Sequence, residues 1–141
     1  MKKTEREINR YLLKWRDRLW LGSWLITPLF ETVLDGDYEG SAYRTSAYID
    51  AEPNYRKAAV TVATKTWEES TPGRRNRTAC HEMVHAVQSP IDKFVDEILG
   101  RMHEDRREGY DEWWKSLREA NAEHWCNVLL DAAGELKGAR Q

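Results

Sequence analysis

The sequence predicts an α+β fold: a small antiparallel three-stranded sheet packed against a central helix and further helices, behind an N-terminal helix. Three observations predict it. Apolar residues recur at steps of three or four near the N-terminus and again beyond residue 72. Between about residues 24 and 64 that period is lost, and β-branched and aromatic residues take over. The turn-forming groups Asp35-Gly36-Asp37, Glu39-Gly40 and Glu52-Pro53-Asn54 divide this stretch into three runs.

The first helix is expected over residues 3 to about 20. Ile8, Tyr11, Leu12, Trp15 and Leu19 form its apolar stripe, with Lys, Arg and Glu between them, and Gly22-Ser23 ends it. That stripe suits the core of a short chain better than a docking face. Three strands follow, Trp24 to Leu34, Ala42 to Asp50 and Lys57 to Thr64, and their short connections favour antiparallel neighbours. Glu68 to Asn76 reads as a polar connection, with Arg74-Arg75-Asn76-Arg77 as a solvated basic loop. Thr71-Pro72 fits an N-cap followed by proline at the first helical position, opening a helix over about 72–88. Ser89-Pro90 repeats that start signal, so a separate helix is expected over about 90–99. The charged stretch from Gly100 to Gly109 reads as a loop. A last helix runs over about 111–133, and Gly134 stops it.

The chain has 141 residues, the length of one domain, and neither repeats nor a linker divide it. Its 22 Lys+Arg against 24 Asp+Glu leave a net charge of −2, which argues against a chain built to hold phosphate backbones. No apolar run reaches the roughly 18 residues of a membrane span. Met1-Lys2-Lys3 continues into Thr4-Glu5-Arg6-Glu7, without the apolar run of a secretory signal. Two cysteines are too few for a disulfide framework, so buried reduced thiols and a cytoplasmic location are expected.

The residues that carry chemistry are His81-Glu82-Met83-Val84-His85, an H-E-x-x-H motif inside the 72–88 helix. Residues four apart lie one turn above each other, with Cβ atoms about 5–6 Å apart. Two imidazoles there can converge on one ion at Zn–N distances near 2.0–2.1 Å. Glu82 is rotated by about 100° from His81. It flanks the ion rather than ligating it, where a general base for a metal-bound water belongs.

On this motif the chain resembles the zincin metallopeptidases, and most the minimal zincins of phages and mobile elements, which are related in layout to the gluzincins. The metzincin continuation is absent, with Gln88 and Ile91 where it requires Gly and His. The resemblance implies a zinc metallopeptidase acting on a peptide or protein, with Zn2+ held by His81, His85 and an acid from the last helix. That helix offers Glu119, Glu123, His124 and Asp131, with His103 as a weaker candidate upstream. By resemblance to the Glu-bearing helix of small zincins, Glu123 is the chosen ligand. Periodicity leaves the choice open. The stripe Trp114, Leu117, Asn121, Trp125, Val128 and Ala132 favours His124, whereas Ala122, Cys126, Leu130 and Ala133 run beside Glu123.

The resemblance further implies that Glu82 shuttles the proton, and that substrate adds as a strand along Lys57 to Thr64 as the sheet edge. Tyr110 or His103 are the candidates to stabilise the oxyanion. Two other classes stay open. One is a zinc-binding regulatory or assembly protein of the same fold without peptidase activity. The other is a helix-rich interaction module that docks a partner through Tyr11 and Trp15.

Overall fold

A computed structural model describes residues 1–34 and 45–140. The predicted turn groups at Asp35-Gly36-Asp37 and Glu39-Gly40, and the start of the second predicted strand at Ala42, lie outside the described residues. The elements run α1 (Lys3–Arg18), β1 (Leu25–Glu31), β2 (Ala47–Glu52), β3 (Lys57–Ala63), α2 (Thr64–Glu69), α3 (Pro72–Gly100), α4 (Glu104–Ala132) and α5 (Leu136–Ala139), with a 3-10 turn at Pro53–Tyr55. The α+β class holds. No helix among the described residues is long and apolar enough to cross a membrane.

The sheet is mixed, which corrects the expectation of an antiparallel one. Its order is β1-β3-β2, with β1 parallel and β2 antiparallel to β3. Short connections do enforce antiparallel pairing where they occur: the 3-10 turn and Arg56, at a left-handed φ of 50°, fold β2 back onto β3. The chain between Glu31 and Ala47 is long enough to release β1 from that constraint. It lies beside β3 instead, in register from Leu25↔Lys57 to Glu31↔Ala63. Pro28, which cannot donate to a ladder, sits on an outer strand. Lys57–Ala63 is therefore the central strand, not the edge expected from the resemblance. Its run of small and branched residues reads as burial on both faces, and Val60, Val62 and Ala63 are at most 1% exposed. Among the described residues the edge nearer α3 is β2.

α1 packs its stripe into the core. Ile8, Leu12 and Trp15 are buried, each contributing on the order of 1.5–3 kcal/mol. The Trp15 indole donates to Asn76 Oδ1 at 2.8 Å, and Asn76 Nδ2 donates to Glu135 Oε1 at 2.9 Å. Lys14 joins the same network through Asn76 and Glu135. A buried Trp15 tied to α3 is not free to dock a partner. The basic cluster at 74–77 is the first part of α3, not a loop: Arg75 pairs with Glu7 at 3.0 Å and caps the Trp67 and Glu68 carbonyls of α2.

The Thr71-Pro72 start is present, with Thr71 Oγ1 accepting from the Arg74 amide at 3.3 Å. Ser89-Pro90 does not break the helix, and α3 runs unbroken from Pro72 to Gly100. Proline removes the N–H that would bond the carbonyl of Ala86. Ser89 Oγ takes over that carbonyl at 2.7 Å, so the orphaned acceptor is satisfied inside the turn. The charged stretch before Gly109 is likewise mostly helical. His103 stands at the N-cap of α4, Glu104 and Asp105 complement its dipole, and Arg107 reaches back to the Gly100 and Met102 carbonyls at the end of α3. Gly134, at a φ of 71°, stops α4 as expected.

Candidate metal centre

α3 carries the motif on the side that faces α4. His81 and His85 stack their rings edge to face, with centroids 4.8 Å apart. Their Nε2 atoms approach to 3.1 Å. From α4, Glu119 closes the group, Oε2 lying 3.2 Å from His81 Nε2 and Oε1 3.2 Å from His85 Nε2. His81, His85 and Glu119 could hold a metal ion, since one donor atom from each lies within 4.8 Å of the others.

The donor set fits zinc. Ligand bonds of about 2.0–2.1 Å at tetrahedral angles put neighbouring donors about 3.3–3.4 Å apart. The two Nε2 atoms, 3.1 Å apart, fall within a few tenths of an ångström of that edge, and the Glu119 carboxylate comes to 3.2 Å of each ring through a different oxygen. Two imidazoles and one carboxylate are also a common protein ligand set of catalytic zinc. Desolvation by burial holds the His85 imidazole below its usual pKa, against the pull of Glu119, which favours the neutral ring a metal requires.

Glu82 is buried and lines the cleft beside the two histidines. Burial, and then the negative charge of Glu119, push its carboxyl up to about 8. A cation held by the triad would reverse the second effect and favour the carboxylate.

Glu123, the ligand chosen from the sequence, stands one turn further along α4, outside the group that closes on both rings. Its Oε2 lies 3.5 Å from Nδ1 of His81, the far side of that ring, and its Oε1 pairs with Arg77. Arg77 is itself held by Asn127 at 2.9 Å. The signal for Glu119 was present in the sequence, in the second of the two stripes. Ala122, Cys126 and Leu130 are the buried face of α4, whereas Leu117, Trp125 and Val128 are exposed. At 100° per residue, Glu119 lies about 20° from Cys126 in the middle of that face, Glu123 about 60° and His124 about 160°.

His124 is exposed and stacks on Trp125, and Asp131 is exposed near the end of α4. His103 pairs with Asp105 at the start of α4. Tyr110 precedes Glu119 by nine residues, about 13 Å along the helix axis. Neither Tyr110 nor His103, the two oxyanion candidates, is among the residues that line the cleft. Cys80 and Cys126 are buried free thiols between α3 and α4. The Cys80 thiol is held well above its ordinary pKa by its hydrogen bond to Cys126 and by burial.

The triad opens into a cleft of about 790 Å³. One wall is β2, from Ala47 to Ala51, and the other is α3 as far as Glu97. Lys93 and Arg118 are the cations on its walls. The Arg118 charge acts on His85, which puts it close to the triad. Sequence reasoning missed both Arg118 and the β2 edge, because neither belongs to a motif. No protein-family model matches the chain, and neither a curated protein nor a solved structure is significantly similar to it.

Proposed function

We propose that the chain is a zinc-dependent metallopeptidase whose ion is held by His81, His85 and Glu119, with Glu82 as the general base. The observation that carries this reading is the convergence of His81 Nε2, His85 Nε2 and the Glu119 carboxylate, within 3.1–3.2 Å of one another, beside a buried glutamate on the wall of a cleft. Zinc in such a set supplies an acidified water and a polarised carbonyl. The remaining work falls to side chains and backbone of this chain. Glu82 takes up the proton released on attack and passes it to the departing amine. Glu123, fixed by Arg77, steadies His81 from its Nδ1 side and keeps Nε2 turned towards His85 and Glu119. The outer edge of β2 offers backbone groups to an extended peptide lying in the cleft. Arg118 meets the negative charge that develops on the carbonyl oxygen.

The test is elemental analysis of the purified protein, followed by incubation of the zinc-loaded form with a mixed peptide library. Stoichiometric zinc and peptide cleavage are expected. Glu82→Gln should keep the zinc and lose cleavage by at least about 10²-fold. Zinc without cleavage of any peptide would favour the regulatory or assembly role, and failure to retain added zinc would remove the metal reading altogether.

A further inference from the structure

Beyond the metal centre, the two long helices turn an apolar face outward. On α3, Val87, Ile91, Phe94 and Ile98 follow one another at steps of four, three and four, and each is 46–62% exposed. At 100° per residue this stripe continues the line of Asn76, Cys80 and Met83, which are buried. One face of α3 thus lies inside the domain in its first half and, among the described residues, bare in its second. On α4, Tyr110, Trp113, Leu117, Trp125 and Val128 share one side and are 42–61% exposed. The two stripes adjoin, since Ile91 of α3 and Trp114, Leu117 and Asn121 of α4 line one hollow of about 240 Å³.

The size and the charge of this face both bear on what covers it. Half of nine large side chains comes to the order of 800 Å², a fully buried aromatic alone covering about 150–250 Å². The largest apolar patch of a typical monomer is about 300–600 Å². Each partner in a standard stable interface contributes about 800 Å². No Asp, Glu, Lys or Arg interrupts the face. The ten charges between Val84 and Leu99 and between Tyr110 and Val128 all lie about 80° or more round their helices from the stripes. Seven of the ten are acids and three are bases, the wrong sign for helices resting on an anionic membrane.

A second copy of the same face fits these terms. An uncharged patch meets its own copy without like-charge repulsion. Two helices set on two others make a four-helix bundle and cover both stripes at once, which a single helix lying in the hollow does not. Asn121 breaks the α4 stripe near its middle, the kind of polar interruption that fixes register between packed helices. We propose that this face pairs with itself in a closed two-fold dimer, its core a four-helix bundle of α3 and α4 from each chain. The α3 stripe stands roughly 160° round the helix from Ser89, Lys93 and Asp96, which line the cleft, so both clefts stay open in the pair. The dimer depends on neither the metal nor the peptidase reading.

Sedimentation velocity of the full chain with a chelator present, from about 1 to 100 μM, reads the association directly. One species of twice 16.6 kDa is expected across that range. Phe94→Glu and Trp113→Glu each place a charge in the seam twice over, and each should weaken association by about 100-fold or more. Both positions are more than half exposed, so the fold tolerates the change, and circular dichroism checks it. Should one variant fail to fold, the other decides. Trp20→Ser alters a tryptophan 94% exposed outside the face and should leave the dimer unchanged. A monomer at the highest concentration, assembly beyond two chains, a dimer that survives the folded glutamate variants, or one that Trp20→Ser dissociates overturns the proposal. Flotation of such a monomer with phosphatidylserine vesicles would give the face to a membrane instead.

Discussion

Replacing Glu119 and Glu123 separately by alanine distinguishes a ligand from a group that only steadies one. Glu119 reaches both Nε2 atoms at 3.2 Å, whereas Glu123 faces the back of one ring at 3.5 Å and is shared with Arg77. Removing a partner that orients a ligand costs about 10–100-fold in metal affinity. Glu123 is half-exposed and its approach is long, so Glu123→Ala belongs near the lower end, about tenfold or about 1.4 kcal/mol. Glu119→Ala deletes the carboxylate of the donor group and should exceed the upper end, more than about 100-fold or about 2.8 kcal/mol. The Glu119 side chain is 57% exposed, so its loss leaves the fold intact and the comparison clean. The assay is competition for zinc against a chromophoric chelator, with thermal unfolding of each metal-free variant as the control. Wild-type affinity in Glu119→Ala, together with a collapse in Glu123→Ala, would refute the argument from distances.

Zinc at 100 times its dissociation constant should stabilise the protein by about 2.7 kcal/mol, raising the melting temperature by roughly 9 °C for a chain of this length. His85→Ala should abolish that rise in a calorimetric scan. Ser89→Ala should cost about 1–3 kcal/mol in urea unfolding, because the Ala86 carbonyl then has neither the hydroxyl nor an amide. In a Pro90→Ala background the same change should cost much less, and equal costs in both would contradict the role given to Ser89. The Glu135 carboxyl is lowered from the ordinary 4.5: partial burial opposes this, but hydrogen bonds and charge from Lys14 and Arg18 prevail. A depressed acid stabilises the fold above its unfolded pKa, and that contribution is lost as pH falls through the folded one. The stability difference between wild type and Glu135→Gln should therefore be largest near neutrality and shrink below about pH 4.5, as read by urea midpoints across pH.

Local signals were legible wherever the deciding contact was itself local. The H-E-x-x-H spacing, the α1 stripe, the Thr71-Pro72 start and the Gly134 stop each depend on residues within one or two turns of each other. Pro90 misled for the same reason, since a proline reads as a break until the hydroxyl that rescues the Ala86 carbonyl is seen. The charged stretch before Gly109 misled because the start of α4 is held by its cap, its dipole and Arg107 rather than by an apolar stripe.

By itself the sequence determined that two imidazoles and a flanking carboxylate share one turn of helix, because the 3.6-residue repeat fixes side-chain directions without reference to the rest of the chain. It determined an α+β composition for a similar reason. Only the tertiary structure decided which glutamate meets those rings, which strand forms the sheet edge, and what the far half of α3 faces. Glu119 and Glu123 are one turn apart, and the choice between them is set by how far α4 slides along α3. That slide is fixed by the close approach of the small buried faces around Cys80 and Cys126, a relation between residues more than forty positions apart that no local period encodes.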